Sequence, residues 1–221
     1  MLIDIFNYFL LGGILYFGLN KLDFHRNIKE SDYTLTVGYS GILHRKIIID
    51  MKLTPHLLVC GLSGQGKSKC IEYAMKNKKC ILLNAFRDDF SSINCLRIND
   101  INKILTFLEN IKDKYQEKPL FIVIDEMLVL CMNKKISKGI LDLLATGRHY
   151  NIFIIGIAQR GTKQDIPFKD LFNARLTFRQ VEQSSYGAIL GYYPEENFKL
   201  NKQEFILYSD DIYRGRTYDL E

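Results

Sequence analysis

The chain has 221 residues, 47% of them apolar, with 15 glycines and 4 prolines, enough for one substantial core and unlike a collagenous or disordered composition. A formal charge of +5 is compatible with a polyanionic partner but does not establish one. Five cysteines without a CxxC pair and four scattered histidines point to reduced thiols and to no metal centre of their own.

Residues 1–20, MLIDIFNYFLLGGILYFGLN, are nearly continuous apolar sequence, close to the roughly 20 residues that span a bilayer. No basic flank precedes the stretch and no small-residue cleavage site follows it, so it does not read as a secretory leader. Lys21, His25, Arg26 and Lys29 come after it, which would leave the rest of the chain on the cytoplasmic side of a membrane. The two readings of this segment are a membrane anchor and a helix that docks on the fold.

From 21 to 54 the sequence reads as a connector with two short strands, TLTVG and KIIID. The main domain is expected over 55–221. In it HLLVC reads as a strand, Lys67–Asn77 as a helix, KKCILLN as a strand and CLRI as a short one. Apolar residues at Ile101, Ile104, Leu105, Leu108 and Ile111 predict a helix over 101–114. LFIVI and NIFIIGIA are continuous apolar runs, expected of strands buried on both faces, with a helix over 136–146 between them. ARLTFRQ predicts another strand, SSYGAIL a short helix, and EFILYSDD and GRTYDL a final strand pair. Strand and helix in repetition give an α/β fold with a mostly parallel sheet and helices on both faces.

One segment carries chemistry by itself. Gly61, Gly66, Lys67 and Ser68 satisfy G-x-x-x-x-G-K-S, and Gly64 loosens the loop further. Such glycines let successive N–H groups turn around phosphate oxygens at the start of a helix. The whole loop, Gly61, Leu62, Ser63, Gly64, Gln65, Gly66, Lys67, Ser68 and Lys69, is therefore the expected ATP cradle. Lys67 would reach the β- and γ-phosphates, and Ser68 would ligate Mg²⁺. Asp125, directly after LFIVI, is the expected second metal ligand, and Glu126 the general base for an attacking water. The alternative for this acidic pair is to cap the following helix. Gln159 ends a fully apolar run and needs a polar partner, either the γ-phosphate and its water or a structural bond. Arg148, in TGRHYN, is a candidate arginine finger toward a neighbouring subunit, or an ordinary surface arginine; Arg175 and Arg179 are weaker candidates for bridging subunits.

In this order, HLLVCGLSGQGKS, PLFIVIDEM, GRHYNIFIIGIAQR and NARLTFRQVEQSSYGAILG resemble the HerA–FtsK superfamily of DNA-translocating P-loop ATPases, over roughly residues 53–190. The resemblance implies a RecA-like core, a ring that is usually a hexamer, and double-stranded DNA handled without base specificity. It also implies ATP and Mg²⁺ as cofactors, with Lys67 and Ser68 on nucleotide, Asp125 on metal, Glu126 on water, Gln159 on the γ-phosphate and Arg148 toward a neighbour. LLNAFRDD departs from the family's Asp-Pro-Lys type segment, so no role passes to Asn84, Ala85 or Phe86. The compact length is most similar to packaging ATPases of membrane-containing viruses, where the protein would sit at an internal viral membrane. KNKK at 76–79, Lys134 with Lys135, and Arg160 with Lys163 are candidates to touch a DNA backbone. The competing expectations are an ATPase that drives export of protein or phage particles, and a nucleotide-gated membrane scaffold without turnover. Glu126 weighs against the scaffold, since a pure switch has little use for a resident base.

Overall fold

The structure, a computed structural model, describes residues 28–41, 44–85, 89–162, 165–193 and 199–219. The apolar stretch 1–20 lies outside the described residues, as do Phe86 and Lys163. Among the described residues no helix is long and apolar enough to cross a membrane.

The strands are β1 (Thr34–Ser40), β2 (Arg45–Asp50), β3 (Leu57–Cys60), β4 (Cys80–Leu83), β5 (Leu96–Ile98), β6 (Leu120–Ile124), β7 (Ile152–Ala158), β8 (Ala174–Thr177), β9 (Glu204–Tyr208) and β10 (Ile212–Arg216). They form one ten-stranded sheet in the order β2-β1-β10-β9-β8-β3-β7-β6-β4-β5. From β8 to β5 all pairings are parallel, and from β8 to β2 all are antiparallel. The segment read as a connector is thus part of the same sheet, joined to it where Tyr39 pairs with Arg216.

The helices are α1 (Lys67–Met75), α2 (Ile101–Ile111), α3 (Met127–Cys131), α4 (Lys134–Thr146) and α5 (Gln183–Leu190). Alternation along the buried strands sends side chains to two cores. Leu57 and Val59, Phe121 and Val123, and Phe153 and Ile155 face one side, where Cys70, Ile71, Ala74 and Met75 of α1 pack with Leu35, Val37, Ile47 and Ile49 of the β1–β2 hairpin. Leu58 and Cys60, Ile122 and Ile124, and Ile152 and Ile154 face the other, covered by α2, α3, α4 and α5. This is why β3, β6 and β7 carry no polar residue: each is buried on both faces.

Three local expectations shift. α4 begins two residues early because the Asn133 side chain accepts hydrogen bonds from the N–H groups of Lys135 and Ile136. α3 was not expected from so short a pattern. The last strand is Ile212–Arg216 rather than GRTYDL, because Ser209–Asp211 closes a tight turn that pairs Tyr208 directly with Ile212.

Candidate functional site

Parallel register decides which residues meet. β7 lies between β3 and β6, with Cys60 opposite Ala158 and Ile124 opposite Gly156. The chain therefore leaves these three strands at one edge of the sheet, bringing out Gly61, Gln159 and the Asp125–Glu126 pair together. A cleft of about 710 Å³ opens there.

The loop between β3 and α1 forms one wall through Ser63, Gly64, Gly66, Lys67, Ser68 and Lys69. Its backbone needs glycine. Gly64 and Gly66 sit at φ 71° and 108°, and at Gly61, with φ 149°, a Cβ would stand 2.7 Å from Phe178 Cβ. Gly66 caps α1 with no side chain, so the first N–H groups of the helix face the cleft without an internal competitor. Gly61, Leu62 and Gln65 lie behind the residues that line the cleft and hold the shape of the loop. The Lys67 ammonium donates to the carbonyls of Gly61 at 2.8 Å and Leu62 at 3.0 Å. Leu62 N–H donates to Arg179 C=O, and Gln65 C=O accepts from Gln203 N–H.

The facing wall carries Asp89, Asp125 and Glu126. Asp125 is 4% exposed, and its carboxylate accepts the Glu126 N–H. Burial, then the charges of Asp89 and Glu126, push its carboxyl up to about 6, against the opposing pull of Lys67. Burial lowers the Lys67 ammonium, while Glu126 and Asp125 hold it up. Glu126 sits in the left-handed region at φ 47°, at the N-cap of α3, yet its side chain makes no capping bond. The carboxylate instead accepts a hydrogen bond from Gln159 Nε2 at 3.3 Å. That separates the two readings of the acidic pair: Glu126 is held across the sheet toward the cleft.

Sequence reasoning missed Asp89, Asn84, Lys202, Gln203 and Asp219. Asn84 follows β4 in the left-handed region, and its amide donates to the Asp125 carbonyl, pinning the carboxylate strand from behind. Asp89 follows the same strand, and the end of a parallel strand adjoining the carboxylate strand β6 was the available signal. Lys202, Gln203 and Asp219 reach the cleft only through the antiparallel half.

Arg148 lies apart from this chain's own cleft. It lies in the 3₁₀ turn Gly147–Tyr150, before β7, at the sheet edge opposite the cradle, where its charge acts on buried His56 at the start of β3. It takes no part in this chain's own site. Arg175 is engaged within the chain, donating to the carbonyls of Phe172 and Ile189 and to Asp170. Arg179 is exposed beside the loop it supports. Among the basic candidates, the 76–79 turn also lies at the far edge, with Lys78 donating to Ser31 C=O and Lys79 to Gln116. Lys134, Lys135 and Arg160 lie on the cleft side and are exposed.

The donor set suits a magnesium ion. The Ser68 hydroxyl and the Asp125 carboxylate share the cleft, and the charges of Asp89 and Glu126 bear on Asp125 there.

No family model matches the sequence, and no curated protein matches it. Solved structures do. The pCW3 conjugation coupling protein TcpA, solved with ATPγS, is similar with a TM-score of 0.72 at 15% identity, over 86% of this chain and 67% of TcpA. The cytoplasmic domain of the Thermomonospora curvata type VII secretion ATPase EccC gives 0.69 at 14% identity, over 87% of this chain but only 29% of that one. The genome packaging NTPase B204 of Sulfolobus turreted icosahedral virus 2, with AMPPCP, gives 0.58 at 17% identity, over 76% of this chain and 99% of B204. With β7 between the cradle strand and the carboxylate strand, the chain shares the α/β fold of these ATPase structures.

Proposed function

We propose that the protein is an ATPase of the HerA–FtsK type that moves double-stranded DNA as a ring, usually a hexamer in this superfamily. The observation that carries the hydrolytic part is the Gln159–Glu126 hydrogen bond, which fixes a carboxylate opposite the Lys67 cradle. In the reaction Lys67 and the α1 N–H groups bind the triphosphate. Glu126 takes a proton from water as its oxygen bonds to the γ-phosphorus, and the bond to the β–γ bridging oxygen breaks, leaving ADP. Ser68 and Asp125 would hold Mg²⁺, which supplies charge neutralisation at the β- and γ-phosphate oxygens. Gln159, bonded to the base, would register the loss of the γ-phosphate through Glu126.

DNA as the substrate is supported by TcpA and by B204, 99% of which is covered by this chain. The backbone offers the same phosphates at every base pair, and exposed Lys134, Lys135 and Arg160 on the cleft side suit that indifference. The likeness to EccC favours a second reading, protein export. In either case residues 1–20 would tether the ring to the cytoplasmic side of a membrane, or to an internal viral membrane. The deciding experiment measures ATP hydrolysis with and without long double-stranded DNA, beside Glu126→Gln. The expected result is turnover stimulated by DNA and reduced at least a hundredfold by the substitution. Turnover indifferent to DNA would favour export, and absence of turnover would defeat the ATPase reading.

A further inference from the structure

The residues of the glycine loop and the acidic pair account for the phosphate half of a nucleotide only. A triphosphate chain fills part of a cleft of about 710 Å³, and the remaining wall is built by Lys202, Gln203 and Asp219. This wall is not a loose surface. Gln203 is held in the left-handed region at φ 69°, with its N–H on the Gln65 carbonyl of the cradle and its C=O accepting from Thr217 N–H. Its side-chain amide is fixed at both ends, the oxygen accepting from Arg216 and the nitrogen donating to Asp219 Oδ1. Asp219 is thereby oriented, and its second carboxylate oxygen makes no hydrogen bond among the described residues.

The charge of this wall decides what it meets. A carboxylate repels phosphate, and Asp219 lines the cleft from the antiparallel half, beyond β10, whereas the glycine loop and Asp125 come from β3 and β6 in the parallel half. A carboxylate only accepts hydrogen bonds, so its ligand there must bring an N–H or O–H. A nucleoside has both, on the base and on the ribose. We propose that Lys202, Gln203 and Asp219 form the nucleoside half of the site, with Asp219 accepting a hydrogen bond from the base or ribose. The inference rests on the cradle reading and adds to it the residue that makes the site prefer a nucleotide over bare polyphosphate.

The test is calorimetric titration of the full chain with ATP and with inorganic tripolyphosphate, for the unaltered protein, Asp219→Ala and Asp219→Asn. The asparagine keeps an acceptor for the Gln203 amide, so it separates loss of the charge from loss of the prop. The unaltered chain should bind ATP more tightly than tripolyphosphate. Asp219→Ala should weaken ATP roughly tenfold, the worth of one charge-assisted hydrogen bond, and leave tripolyphosphate unchanged. Asp219→Asn should show a smaller loss, again confined to ATP. If the donor is the ribose 2′-hydroxyl, 2′-deoxyATP reproduces the alanine loss on the unaltered chain; if it is on the base, 2′-deoxyATP binds like ATP. Equal weakening of both ligands, or of neither, overturns the inference while leaving the cradle intact. An unaltered chain that binds neither ligand overturns the cradle reading as well.

Discussion

Among single residues His56 is as constrained as any in the cleft, although it lies at the other end of β3. It is 1% exposed, adopts φ 66°, and its Nδ1 accepts the Ile154 N–H at 3.0 Å, tying β3 to β7. Burial lowers its imidazole to about 4; the Leu144 carbonyl pulls the other way, and the Arg148 charge adds to the lowering. Between pH 6.5 and 4 the unfolded chain therefore binds the proton and the folded chain resists it, so stability is full above 6.5 and drains away as pH falls. The size is about 3 kcal/mol. His56→Asn keeps an acceptor for Ile154 but does not titrate. Urea unfolding at pH 7, 5.5 and 4.5 should show the unaltered chain losing that much more stability than the variant. Parallel acid limbs would mean that His56 does not stay neutral in the fold.

At the level of elements, the geometry of the base depends on how closely β7 approaches α3. Gly156 lies opposite Ile124 in β6, and a Cβ there would stand 2.4 Å from Met127 Sδ and 3.3 Å from Phe172 Cζ. Met127 directly follows Glu126, so pushing it away shifts the carboxylate, while the cradle on β3 is untouched. Gly156→Ala should lower kcat about tenfold or more and leave ATP affinity within a few-fold, with a stability loss of about 1–3 kcal/mol. A fall in affinity with unchanged kcat would contradict this chain of contacts. The same elements show what was legible. The cradle, Asp125 and Glu126 could be read because their signal is local: a glycine spacing, and two acids ending an apolar run. That Gln159 would bond Glu126 could not, because it depends on β7 lying between β3 and β6. The distance of Arg148 from this chain's own cleft follows from its place: it precedes a parallel strand whose end meets the cradle, and strand beginnings lie at the opposite edge.

For the whole molecule, the parallel half was legible from its uniformly apolar strands, and the antiparallel half much less so. Lys202, Gln203 and Asp219 carry no motif and reach the cleft only because β9 and β10 extend the sheet next to β8. The proposed tether is a matter at this scale too. Removal of residues 1–19 should abolish sedimentation with phospholipid vesicles. Persistent sedimentation would exclude the tether. The join of β1 to β10 has one more consequence. Gly38 and Gly215 let the two backbones close up, a Cβ at Gly38 falling 2.3 Å from Arg216 O and one at Gly215 falling 2.9 Å from Tyr39 O. The first described strand thus runs flank to flank with the strand leading to Thr217 and Asp219, so the hairpin on the sheet's far side and the rim of the cleft share one seam.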